Sequence, residues 1–99
     1  MVKAEMLDDA DALARRAADL IEDALRAKPE LSILIATGNT PMATYAELAR
    51  RNLDASALTA VQLDEYLGVG ENDPRSLWAW MRRAFVEPLG VARTVRLVP

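Results

Sequence analysis

The sequence contains no cysteine and no histidine. The first absence excludes disulfides, thiolate nucleophiles and cysteine-based zinc sites within the chain. The second removes the commonest general acid/base and the commonest metal ligand. Basic excess is lacking too: 15 acidic side chains stand against 12 basic ones, for a net charge of -3. A nucleic-acid footprint needs a basic face, so no nucleic-acid partner is expected. The pairs Arg15-Arg16, Arg50-Arg51 and Arg82-Arg83 read as solvated helix faces. No apolar run approaches the ~18 residues of a membrane span. The N-terminus turns acidic at Glu5, Asp8 and Asp9, unlike a signal peptide. A soluble cytoplasmic protein with no membrane partner is the expectation.

What is present is 99 residues with an apolar fraction of 52%. That length allows one small domain or part of one, with a modest core. Residues 8–28 repeat apolar side chains at Ala10, Leu13, Ala14, Ala17, Leu20, Ile21, Ala24 and Leu25, the stripe of an amphipathic helix. Asp8 or Asp9 can cap its start, and Lys28-Pro29 stops it. Residues 31–36, Leu-Ser-Ile-Leu-Ile-Ala, form a short apolar run between Pro29 and Gly38. The pattern predicts a strand buried on both faces of a parallel sheet. A helix is expected over residues 41–51, with Thr40 as N-cap and Pro41 at the first helical position. Glu47 and Arg51 are spaced as an i, i+4 pair on it.

Residues 59–63 predict a second strand that ends at Asp64-Glu65. A helix over residues 74–87 follows, capped by Asp73 and opened by Pro74. It puts Leu77, Trp80, Met81, Ala84 and Phe85 on one face and is ended by Pro88 and Gly90. Residues 94–98 begin a third strand. Alternating helices and strands imply right-handed parallel βαβ units. The fold class is therefore α/β: a three-layer Rossmann-like parallel sheet, represented by a helix-β-α-β-α-β half-domain. Three helices cover such a sheet only partly and leave two open edges. The chain is expected to be one portion of a single larger domain spanning residues 1–99 here, with its C-terminal half supplied elsewhere. Self-association or homo-oligomerisation through the uncovered sheet surface follows from that expectation.

Ligands of open α/β sheets bind at the carboxyl ends of the strands. Two segments fall there. Thr37, Gly38, Asn39 and Thr40 combine a glycine that permits a sharp turn with hydroxyls and helix-start N–H groups, which suits a phosphate. They form neither a Walker loop nor a dinucleotide fingerprint, so an ordinary capped turn fits them as well. Asp64-Glu65-Tyr66 offers two acids, of which one can face a cleft, as general base or orienting carboxylate; a solvated acidic loop is the other reading. Trp80 reads as core. Trp78, off the apolar stripe, suits a cleft cover or an interface, and Tyr66 a substrate contact or a loop anchor.

Three ordered motifs, Ile35-Ala-Thr-Gly-Asn-Thr-Pro-Met42, Val61-Gln-Leu-Asp-Glu-Tyr-Leu-Gly68 and Asp73-Pro-Arg-Ser76, resemble the N-terminal portion of the glucosamine-6-phosphate deaminase/isomerase family. The wider superfamily includes 6-phosphogluconolactonase, which usually carries Asp-Glu-Arg where this chain has Asp64-Glu65-Tyr66. The resemblance implies a phosphorylated-sugar substrate held by Thr37, Gly38, Asn39 and Thr40. It implies Asp64 as the catalytic base that moves a proton between C2 and C1, a step that calls for a base tuned by burial. Water then releases ammonia and leaves fructose 6-phosphate. Glu65 joins the binding set chiefly as a support of the loop. No metal and no organic cofactor are implied.

Two departures stand out. Asp73 replaces a usual histidine, and Leu77-Trp78 replaces a usual pair of tyrosines, which removes an aromatic hydroxyl near the substrate. The family is also more than twice this length, and its ring-opening histidine and further basic residues have no counterpart here. The chain alone is therefore expected to be nearly inactive. The alternatives are a 6-phosphogluconolactonase-like hydrolase, a non-enzymatic sugar-phosphate sensor, or a decayed paralogue.

Overall fold

The computed structural model describes residues 4–70 and 72–97. Helix α1 spans Ala10–Ala27, β1 Ser32–Ile35, α2 Met42–Arg50 and β2 Thr59–Gln62. A longer helical stretch divides into α3, Leu77–Met81, a π turn, Arg82–Val86, and α4, Glu87–Leu89; β3, Arg93–Val95, follows. The alternation is the expected one. The three strands pair in the order β1-β2-β3, all parallel. Leu34, Val61 and Val95 align in one row across the sheet.

Local chemistry sets the boundaries. Asp9, in extended backbone, accepts a 2.7 Å hydrogen bond from the Ala12 N–H and starts α1. Thr40 does not cap α2: Pro41 holds the cap position in helical backbone, with no side-chain bond to the first turn. Asp73 does not cap the third helix either. Its carboxylate is taken by the Arg75 backbone N–H at 2.9 Å and the Arg75 guanidinium at 2.8 and 3.1 Å. Residues 73–76 therefore form a turn, closed by the Ser76 N–H on the Asp73 carbonyl at 3.0 Å. Ser76 is the true cap, its hydroxyl accepting from the Ala79 N–H at 2.9 Å, and the helix starts three residues later than expected. Pro88 has no N–H to offer the Ala84 carbonyl, and the turn just before it is widened to π geometry. Gly90, at φ 68°, ends α4 in the left-handed conformation.

The helices share one core. Ala18 and Leu25 of α1, Tyr45 and Leu48 of α2, and Met81 and Phe85 pack against Ile35 and Ala60 of the sheet. Arg51, just after α2, ties α2 to α1 by bonds of 2.9 and 3.0 Å to Asp19 and Glu22, and is held in place by Glu47 of α2 at 3.0 Å. Successive right-handed crossovers stepping one way across a sheet put their helices on one face. The burial pattern agrees: Ile35, Ala60 and Gln62 are buried, whereas Leu34 is 57% and Val95 47% exposed. The expectation of a strand buried on both faces is thus corrected. Within the described residues β1 is covered on one face, because both crossovers step in the same direction.

Candidate active-site cleft

A cleft of about 400 Å³ opens beyond the carboxyl ends of β1 and β2. Thr37 and Gly38, following β1, line one side, and Asp64, following β2, lies beside them. Tyr66, Pro74, Arg75 and Ser76 continue the wall, and Leu77, Trp80 and Arg83 close the helical side. The two segments expected at strand ends thus meet in one place. Asn39 and Thr40, both exposed, stand outside this lining. Asp64 is exposed, so nothing among the described residues provides the burial expected of a proton-transfer base. A second hollow, near Leu25, Pro29, Arg51 and Asp54, offers less chemistry. Its Arg51 is engaged by three carboxylates, and its Asp54 by the Ser56 hydroxyl and N–H.

The β1 side of the cleft is held from below. The Tyr45 hydroxyl donates to the Ala36 carbonyl at 3.0 Å, fixing the strand end directly before Thr37. The Tyr45 ring meets Phe85 edge-on at 5.1 Å and Trp80 at 6.1 Å. Burial pushes the Tyr45 phenol above its ordinary pKa, against the opposing effect of the Ala36 contact. Gly38 adopts φ 107°, which side chains other than glycine rarely take, and no atom crowds the space a Cβ would fill. Its requirement comes from the backbone bend alone.

The β2 side is organised by Glu65. Its carboxylate does not line the cleft. It accepts from the N–H groups of Leu77 at 2.8 Å and Trp78 at 3.0 Å, first-turn donors of α3 that have no partner within the helix, and from the Tyr66 N–H at 2.9 Å. The Gln62 side-chain amide adds a fourth bond at 3.0 Å. Burial raises the Glu65 pKa, but the Leu77, Tyr66 and Trp78 N–H groups and Gln62 outweigh it and hold the carboxyl below its ordinary value. Glu65 therefore joins the loop that presents Asp64 to the helix that forms the opposite wall.

Gln62 and Ser76 are positioning residues that sequence reasoning passed over; both are buried polar groups, 1% exposed. A glutamine inside an otherwise apolar strand was the available signal for the first. The Gln62 amide also donates to the Asp64 carbonyl at 2.8 Å, so it holds the backbone of Asp64 directly. Trp80 is half-buried, touching the core on one side and the cleft on the other; Trp78 packs against the core as well.

No protein-family model matches the chain. It is 42% identical over 80 residues to a glucosamine-6-phosphate deaminase of Arthrobacter sp. (strain FB24), covering 77% of this chain and 31% of the relative. It is 33% identical over 91 residues to glucosamine-6-phosphate deaminase 1 of Bacillus subtilis (strain 168), covering 88% and 38%. The chain thus spans about a third of the length of the curated relatives it matches. Among solved structures it superposes on a monomeric glucosamine-6-phosphate deaminase of the NagB superfamily with a TM-score of 0.87 and 31% identity, over 94% of this chain and 41% of the other. A putative 6-phosphogluconolactonase from Neisseria gonorrhoeae FA 1090 shares the fold, with a TM-score of 0.74 at 22% identity, over 94% and 42%.

Proposed function

Taking as premise that the chain carries a segment of the glucosamine-6-phosphate deaminase family, we propose that it supplies the phosphate-binding loop and the proton-transfer base of that active site. The observation that carries the reading is the meeting of Thr37, Gly38 and Asp64 in one cleft at the strand ends. The phosphate sits against the turn at residues 37–40, where a helix N-terminus and two threonine hydroxyls favour an anion. Thr37 and Gly38 contact it first; Asn39 and Thr40 close on it from the exposed rim.

Asp64 acts at the sugar's C1–C2 end. Its carboxylate takes the proton from C2 of the opened aminosugar and returns it to C1. This converts the aldose into a ketose-type imine, which water hydrolyses to fructose 6-phosphate and ammonia. Glu65 does not touch the substrate on this reading; it fixes the loop that aims Asp64. The cover that desolvates Asp64, the ring-opening group and the remaining phosphate contacts come from outside residues 1–99. The chain is one part of a single sugar-phosphate isomerase/deaminase-like domain, working in the cytoplasm where phosphorylated sugars are used.

A chemical-shift titration of the chain with glucosamine 6-phosphate, run beside an ammonia-release assay, tests this. Shifts centred on residues 37–40 and 64 with little ammonia release are expected. Shifts centred elsewhere refute the site, and robust ammonia release refutes its incompleteness. In any longer protein carrying this sequence, Asp64→Asn abolishes turnover and leaves substrate binding largely intact; unchanged turnover excludes Asp64 as the base.

A further inference from the structure

The cleft wall opposite the phosphate loop carries a cation that the reading above leaves unused. Two arginines line the cleft, Arg75 and Arg83. Arg75 is engaged, its guanidinium bonded to Asp73 at 2.8 and 3.1 Å. The neighbouring Arg82 is engaged as well, with Glu87 at 3.1 Å. Arg83 makes no side-chain hydrogen bond or ion pair among the described residues. It is exposed, on the π turn, between Met81 and Phe85, whose side chains are fully buried. Its backbone is therefore anchored by the core while its guanidinium has no local partner.

An unpaired guanidinium facing a cleft has a specific capability. Its fork of donors fits the oxygens of a phosphate in bidentate fashion, which a lysine ammonium does not. The opposing side presents Thr37 and Gly38, whose turn leads toward α2 and offers a hydroxyl and backbone donors to an anion. The one other unpaired charge of the lining is Asp64, which repels an anion. A phosphate monoester thus finds favourable charge on the Gly38 side and the Arg83 side of the cleft.

We propose that Arg83 is a substrate-binding residue that clamps the phosphate of the ligand from the α3 side, across the cleft from Gly38. The inference rests on the functional reading above and adds a contact to it. Arg83 determines affinity for the phosphorylated form of the sugar, and its loss selectively weakens phosphate-bearing ligands.

The test uses the whole chain in four forms: unaltered, Arg83→Ala, Arg83→Lys and Arg82→Ala. Each is titrated with glucosamine 6-phosphate and, separately, with inorganic phosphate, by chemical-shift changes that read weak binding. Because Arg83 is exposed and unpaired, its variants are expected to keep the thermal midpoint of the unaltered chain, which circular dichroism checks. Arg83→Ala is expected to weaken both ligands by about tenfold, the lower end for a charge-assisted contact. Arg83→Lys falls between, keeping charge without the fork. Arg82→Ala removes the same charge one residue away and changes affinity by less than about twofold in salt that screens distant charges. If the unaltered chain binds glucosamine 6-phosphate and Arg83→Ala binds it equally well, the clamp is refuted while the functional reading stands. If Arg83→Ala and Arg82→Ala weaken binding alike, or inorganic phosphate is unaffected by Arg83→Ala, the clamp is refuted as well. If the unaltered chain shows no binding of glucosamine 6-phosphate, the functional reading falls and the clamp with it.

Discussion

Replacing Glu65 by alanine removes the carboxylate that receives the Leu77, Trp78 and Tyr66 N–H groups and the Gln62 amide. The Tyr66 N–H bond is exposed and those of Leu77 and Trp78 are part-buried at a helix start, so their loss resembles that of a helix cap, about 1 kcal/mol. Gln62 is buried and keeps only the Asp64 carbonyl for its amide hydrogens, which adds about 1 kcal/mol. A total near 2 kcal/mol corresponds to a Tm lower by roughly 8–16 °C for a chain of this size. Glu65→Gln keeps one acceptor oxygen and loses the charge, and isolates the pH dependence. The native Glu65 carboxyl has a lowered pKa, so the native state binds fewer protons there than the unfolded chain. That stabilisation is complete above the unfolded value of about 4.3 and is lost as pH falls through the lower native value. Urea unfolding followed by circular dichroism should therefore show a gap between the parent chain and Glu65→Gln that is constant near neutral pH and closes in acid. A Glu65→Ala Tm within about 2 °C of the parent, or a Glu65→Gln gap that persists unchanged down to acid unfolding, would refute the assignment of this carboxylate as the tie between loop and helix.

Two further outcomes follow from the same structure. Gly38→Ala meets no steric obstacle but forces an L side chain to φ 107°, so it should cost about 1–3 kcal/mol in thermal unfolding and weaken phosphate binding; a neutral result means the bend is not required. Leu34→Glu places a charge in the open row of Leu34, Val61 and Val95, at a side chain already 57% exposed. It should leave monomer stability within about 0.5 kcal/mol and reduce self-association measured by sedimentation, whereas equal association by both forms argues against the sheet face as the contact.

The strands were legible because their signal is compositional. A β-branched apolar run between Pro29 and Gly38 has few other structures open to it, and the alternation with helices sets the parallel order. The meeting of Thr37, Gly38 and Asp64 was legible for a related reason, since consecutive parallel strands bring their carboxyl ends to one edge. The start of α3 was not. Asp73-Pro74 has the composition of a cap, but Arg75 competes for the Asp73 carboxylate at a distance of two residues, and Ser76 takes the role. The part played by Glu65 lies between residues 12 and 13 apart in sequence, beyond any local spacing rule. The one-sided burial of β1 depends on the direction of both crossovers together, which no single segment encodes.

Gln62 gives the cleft a polarity of its own. One end of its carboxamide meets only acceptors, the Asp64 carbonyl and the Glu65 carboxylate; the other meets only a donor, the Leu97 N–H at 2.9 Å. The side chain therefore has a single sense in which it satisfies its surroundings, and no isosteric neighbour can replace it. Glutamate would set a second negative charge against Glu65, and leucine or methionine would leave donor and acceptors dry on both sides. Because Leu97 follows β3, the same amide connects the exit of the last strand to the backbone of Asp64. A displacement of the chain beyond β3 would thus be transmitted to Asp64 through one buried group, making the aim of the cleft sensitive to whatever packs against the third strand.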